Sequence, residues 1–112
     1  MFGYTIETGD IAAVGEMVGE WASVSALQPR ESLGRRELSH DGDTVEILGE
    51  MSRAGTTPLV VLTGWIAGEV ASVHPKLKEL YDAFASKGLA VSGEYEGFDA
   101  NEESITGELK LP

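Results

Sequence analysis

The residues best placed to do chemistry in this 112-residue chain lie in one short run, Tyr95-Glu96-Gly97-Phe98. A carboxylate set between aromatic rings attracts an organic cation, through its charge and through the electron-rich ring faces. If buried there, the Glu96 carboxyl would titrate higher than usual and become able to give or take a proton. Glu94 falls on the strand face of Glu96 and Phe98, while Tyr95 alternates to the opposite face and can point into the core. Trp65 is a further candidate wall, because it ends an apolar run beside Gly64 and precedes a loop. Glu96, Phe98, Tyr95 and Trp65 are therefore the candidate ligand-binding residues. The plain alternative is a solvated sheet face for Glu94 and Glu96. For Trp21, Tyr81 and Phe84, core packing is the better reading, since they fall on helical stripes.

Other chemistries find no support in the residues. The chain has no Cys, which excludes disulfides and thiolate metal sites. His40 and His74 fall in a turn and at a helix start, and read as solvated residues rather than ligands. The run His40-Asp41-Gly42-Asp43 resembles a fragment of a calcium loop but lacks the remaining ligand positions and the closing Glu. There is no Gly-rich phosphate loop with Lys and no nucleophile elbow. Neither a metal nor a cofactor is expected. Net charge is −11, from 19 acidic and 8 basic residues. That balance disfavours nucleic acid and anionic membranes as direct partners and permits cationic ligands or a basic protein surface. It also serves solubility alone. The longest apolar run, residues 58–67, is interrupted by Thr63 and Gly64 and is too short to cross a bilayer. The opening residues lack a basic region followed by an apolar one. A soluble, cytoplasmic protein is the expectation.

The elements that must position these residues follow from periodicity. Phe2, Tyr4 and Ile6 alternate with Gly3, Thr5 and Glu7, which predicts a strand with one buried face. Thr8 or Asp10 can cap a helix whose stripe is Ile11, Val14, Val18 and Trp21 and which ends near Val24. Gly15 and Gly19, four apart, predict close approach to a neighbouring element, since each costs about 1 kcal/mol in a helix. Residues 25–33 read as a loop. Asp41-Gly42 between two β-like runs predicts a hairpin over residues 34–51. Residues 52–57 read as the connection between two halves. Residues 59–66, apolar on both faces, suit a central strand. Residues 67–72 read as a loop, with His74-Pro75 starting a helix whose buried stripe is Val73, Leu77, Leu80, Tyr81 and Phe84. Lys87-Gly88 signals its end. Val91 and Tyr95 share one face of the next strand, and Ile105, Leu109 and Leu111 form the apolar face of the last. The chain thus reads as a single α+β domain over residues 1–112. It is built of tandem βαββ units, 1–53 and 58–112, with one antiparallel sheet, both helices on one face, and a groove on or beside the other.

From Leu77 onward the sequence resembles the second βαββ unit of gyrase-inhibitor-like (GyrI-like) small-molecule-binding domains. The resemblance is carried by a helix ending at Gly88, a strand with Tyr95-Glu96 followed by the aromatic Phe98, the acidic turn at residues 99–103, and a last strand ending at Pro112. Gly97 stands where the family has a bulky apolar residue and Phe98 where it has Tyr. The resemblance implies a pseudo-twofold domain with a central groove that binds hydrophobic, often cationic compounds through aromatic residues and a glutamate. It also implies two less common roles: hydrolysis of strained electrophiles through a glutamate, and inhibition of DNA gyrase.

Three functions follow as expectations. The leading one is a binding protein for hydrophobic, cationic or aromatic small molecules, with a sequestering or resistance role and no catalysis. The second is an acidic inhibitor or immunity-type protein that blocks a basic protein partner, motivated by the −11 charge. The third is a small hydrolase using Glu96.

Overall fold

Phe2, Tyr4 and Ile6 are buried and their neighbours less so, which gives the first strand the one covered face its alternation predicts. In the computed structural model, which describes residues 1–111, nine elements follow one another. They are β1 (Phe2–Ile6), α1 (Ile11–Trp21), β2 (Arg30–Ser32), β3 (Arg35–Asp41), β4 (Val45–Ala54), β5 (Thr57–Ile66), α2 (Val70–Ser86), β6 (Val91–Phe98) and β7 (Ser104–Leu111). The fold is α+β. Its seven strands form one antiparallel sheet in the order β2-β3-β4-β5-β1-β6-β7. Strand β5 is central and β1 lies between β5 and β6. Of β5's two apolar faces only that of Val60 and Leu62 is buried, and Leu59, Val61 and Trp65 stand on the uncovered side.

The registers put Leu38, Ile47, Leu62, Tyr4 and Leu111 on the sheet face that meets the helices, and all five are buried. Ile11, Val14, Val18 and Trp21 of α1 and Val73, Leu77, Leu80 and Phe84 of α2 close the core from above. Tyr81 is only half-buried, at the margin of its stripe. The helices are tied together where Trp21 Nε1 donates to the Lys76 carbonyl at 2.7 Å and Lys76 Nζ donates to the Trp21 carbonyl at 2.8 Å.

Local chemistry sets the helix ends. Asp10 caps α1, its Oδ1 accepting from Ala13 N at 3.0 Å. At the end of α2, Gly88 takes φ 79°, and the amides of Gly88 and Leu89 donate to the carbonyls of Ala85 and Phe84. Those paired bonds with glycine in the left-handed region make a Schellman motif.

Four boundaries differ from the sequence reading. Helix α1 ends at Trp21 rather than near Val24, and Ser23 takes φ 59°. The loop at 25–33 contains β2, three exposed residues paired with β3. Residues 52–57 are the ends of β4 and β5 with a two-residue turn, so the two halves are joined by one continuous ladder from Val45↔Ile66 to Ala54↔Thr57. These strand ends are solvent-exposed, so no apolar alternation marks them. Helix α2 starts at Val70, a full turn before Pro75, so residues 70–72 are helix rather than loop. The expected terminal Pro112 lies outside the described residues.

Tyr4 supplies a test of this core. Its hydroxyl donates to the Leu77 carbonyl at 2.6 Å, and its ring packs edge-on against Phe2 and Phe84. Burial pushes its phenol well above the ordinary value, because the phenolate would be stripped of water. A raised folded-state pKa means stability that is complete below the unfolded value near 10 and falls as pH climbs past it. Tyr4→Phe loses the hydrogen bond at all pH values but has no phenol to ionise. In urea titrations from about pH 8 to about pH 11, the stability gap between wild type and Tyr4→Phe should narrow as pH rises. A constant gap would contradict the buried, proton-retaining phenol.

Candidate functional site

Sheet, helix and turn converge at one end of the molecule. Strand β5 ends there at Ile66, and Gly68 passes the chain into α2. Strands β6 and β7 meet at a bulge, where the register moves from Glu96↔Glu108 to Phe98↔Ser104 and leaves Ile105, Thr106 and Gly107 opposite Gly97. Polar side chains fix the bulge. Gly97 N donates to Thr106 Oγ1 at 2.9 Å, the Thr106 hydroxyl donates to the Gly107 carbonyl at 2.6 Å, and Gly107 N donates to Ser104 Oγ at 3.0 Å. The acidic turn beyond it is closed by Asp99, whose Oδ1 accepts from Asn101 N at 2.8 Å and Glu103 N at 3.0 Å.

A cavity of about 840 Å³ occupies this corner, a size suited to a drug-like molecule. Trp65, Tyr95, Glu96 and Phe98 all line it. Trp65 is 37 % exposed, and its Nε1 donates to Oε2 of its cross-strand neighbour Glu46 at 2.8 Å. Phe98 stands at the rim, 46 % exposed. Tyr95 is 4 % exposed, its ring turned to the helical side of the sheet as strand alternation predicts. Glu96 is half-buried, and its backbone pairs with Met1: Met1 N donates to the Glu96 carbonyl at 3.0 Å and Glu96 N donates to the Met1 carbonyl at 2.9 Å. Burial pulls the Met1 amine below its ordinary value, and the nearby Glu96 charge pulls the other way.

The remaining wall comes from residues that the sequence patterns assign to core faces or leave unmarked. Ile66, Val70, Val73, Leu77 and Ile105 add apolar surface, and Glu69 and Glu102 add carboxylates. Glu69 and Glu102 sit in connections where no periodicity marks them. Ile105 reads as part of the last strand's apolar face, but the bulge sets it apart from Leu109 and Leu111 and leaves it 60 % exposed at the cavity. His74 is not a solvated residue. It is half-buried, with Nδ1 2.7 Å from the Tyr95 hydroxyl and the two rings 5.5 Å apart. Tyr95 lies in β6, the element that follows α2, but no periodicity in either element pairs it with His74 in advance. His40 is likewise not a turn residue: it lies in β3, half-buried and paired with Ile47, with its ring beside Gly42.

A second, shallower depression of about 260 Å³ lies on the helix-free face behind the first. Gly3 and Thr63 line its floor, and Glu94, Glu96, Glu108 and Phe98 its sides. Glu96 and Phe98 border both spaces because they stand at the end of the sheet. Among the described residues, no group of three His, Cys, Asp or Glu side chains is arranged to hold a metal ion. No helix among them is long and apolar enough to cross a membrane.

Glu69, Glu96 and Glu102 are the charged side chains of the larger cavity, and among the described residues no Lys, Arg or His lines it. The Met1 amine, bonded to the Glu96 carbonyl, is the positive group beside them. Apolar walls with carboxylates at the margin can hold an apolar body and a positive charge together. No family model matches the chain, and no curated protein or solved structure matches it.

Proposed function

We propose that this protein binds hydrophobic small molecules carrying a positive charge or an aromatic ring, in the cavity between the first turn of α2 and the ends of β5, β6 and β7. One observation carries the reading: apolar walls around about 840 Å³, with carboxylates as the charged side chains. The resemblance of residues 77–112 to GyrI-like domains points the same way, and on this reading the chain sequesters its ligand without transforming it.

Glu96→Gln keeps the side chain's shape and removes its charge. It is expected to weaken binding of a rhodamine-type cation by about 1–3 kcal/mol, the range for hydrogen bonds to charged groups. A neutral analogue of the same shape should lose much less. Paired calorimetric titrations of both proteins with both dyes test this. Equal affinity of the two proteins for the cation would remove Glu96 from the site, and no dye binding to wild type would sink the reading.

The helix-free sheet face supports a second reading, a docking surface for a basic protein. Cross-strand neighbours there include Asp41 beside Glu46, and Glu96 beside Glu108, whose carboxylate Lys110 already meets at 2.7 Å. Like charges directly opposite one another cost stability, and a partner's Lys or Arg side chains would relieve that repulsion. Leu48, 49 % exposed, and Trp65 give the same face an apolar centre. Such a complex should weaken steeply as salt rises, whereas dye binding in an aromatic pocket should keep most of its affinity.

A further inference from the structure

The wall of the larger cavity nearest α2 is held to the protein differently from the rest of that helix. From Lys76 onward, α2 is anchored. The Lys76 carbonyl accepts from Trp21, the Leu77 carbonyl accepts from Tyr4, and Leu77, Leu80 and Phe84 are fully buried. Before Pro75, Val73 is the one buried side chain, with Val70 packed at the margin of the core. Glu69 stands at the N-cap position with no side-chain hydrogen bond to the first turn, so its orphan amides lack the usual partner.

Pro75 falls beyond the position where proline is harmless. It has no N–H to give the Ala71 carbonyl, its ring crowds that carbonyl, and it disfavours the helical conformation at His74. One of the few bonds joining the first turn to the second is therefore missing. On the other side, Gly68 takes φ 137°, a conformation open to glycine and strained for other residues. Two backbone discontinuities thus bracket residues 69–74.

This bracketed turn covers the cavity. Glu69, Val70, Ala71 and Val73 all line it. Val70 rests on the β6 bulge: a Cβ added at Gly97 would come within 2.9 Å of Val70 Cγ2, so a larger residue there would push against the turn. The polar tie is the hydrogen bond between His74 Nδ1 and the Tyr95 hydroxyl, 2.7 Å long, which spans from the turn to the sheet.

We propose that residues 69–74 form a lid over the cavity, hinged at Gly68 and Pro75 and latched by His74 to Tyr95, and that its opening admits the ligand. The ligand part of this inference rests on the small-molecule reading above; the lid itself does not.

Hydrogen exchange of the ligand-free protein, followed amide by amide, tests the lid. The Val73 amide is bonded to the Glu69 carbonyl at 2.9 Å and would be protected in a firmly packed helix. It should exchange at least about tenfold faster than the Leu80 amide of the same helix, because local opening costs less than global unfolding. Tyr95→Phe cuts the latch without changing the ring and should speed Val73 a further three- to tenfold or so, leaving Leu80 unmoved. Pro75→Ala restores the missing donor and should slow Val73. Equal protection of Val73 and Leu80 in wild type, or a Val73 rate indifferent to both substitutions, would overturn the lid.

Stopped-flow mixing with a rhodamine-type cation then tests access. His74→Leu, which cuts the latch at a side chain that does not line the cavity, should raise the association and dissociation rates together, with little change in their ratio. If dye binds and neither rate moves, entry does not pass through this turn. If the exchange pattern is as expected and no dye binds wild type, the small-molecule reading fails while the lid stands.

Discussion

Phe84→Ala is expected to lower the unfolding free energy by about 3–5 kcal/mol, the range for truncating a buried aromatic side chain. Phe84 is fully buried, and its ring meets Tyr4 edge-on at 5.9 Å, so the substitution removes an aromatic pair as well as apolar volume. Tyr4 is also the residue that ties β1 to α2. Relaxation into the space would have to move the central sheet, which limits how far the cavity can close. Leu80→Ala, equally enclosed at 1 % exposure, should cost about 2–5 kcal/mol. Urea titration reads both. A loss under about 1 kcal/mol for either would mean that the stripe on α2 is not the core it forms here.

Gly15→Ala is the second large effect, and its sign is diagnostic. On an open helix the change would stabilise by about 1 kcal/mol. Here a Cβ would stand 2.1 Å from the Leu27 carbonyl oxygen and 3.1 Å from Leu38 Cδ2. The obstacle is backbone, and that backbone is fastened: Leu27 N donates to the Gly15 carbonyl at 3.1 Å. To admit one methyl group, the segment between α1 and β2 must lift off the helix and expose Leu27, which is buried. Overpacking of this kind costs about 1–3 kcal/mol and more where backbone must move, so a net loss of about 2 kcal/mol or more is expected. Unchanged or increased stability would show that the crossing segment is not held where it lies.

The same glycine marks what could be read in advance. Two glycines four apart in a helix predicted a close approach, and the approach is real. Its partner was not legible, because the chain that fills the notch, Ser25 to Leu27, carries no periodic signal of its own. Alternation at residues 2–6 was readable because it reflects simple burial against one layer; the two-sided apolar run of β5 pointed to its central place, though only its Val60 and Leu62 face is covered. The start of α2 was hidden by Pro75, which draws a helix boundary toward itself, and by a first turn lacking any capping side chain. The site divides along the same line. Trp65, Tyr95, Glu96 and Phe98 were legible as aromatics and carboxylate on strands, and they share one cavity. Glu69, Glu102 and Ile105 reach it through a joint, a turn and a bulge, where position is set by hydrogen bonds that composition does not reveal.

Strand β1 carries a consequence for how the molecule comes to be folded. The ladder between β4 and β5 joins neighbours across a two-residue turn and can zip at once. The strand between β5 and β6 has no such partner near it in the chain: Phe2 pairs with Gly64 on one side and with Tyr95 on the other. During synthesis β1 therefore stays unpaired on one edge until β5 has been made and on the other until β6 has, because both of its edges depend on strands made later. Pairings this distant in sequence slow folding, since chain entropy must be lost before they form. The rate-limiting event should be insertion of β1, and substitutions such as Ile6→Ala should slow refolding more than they hasten unfolding, while changes at the β4–β5 turn alter neither rate much.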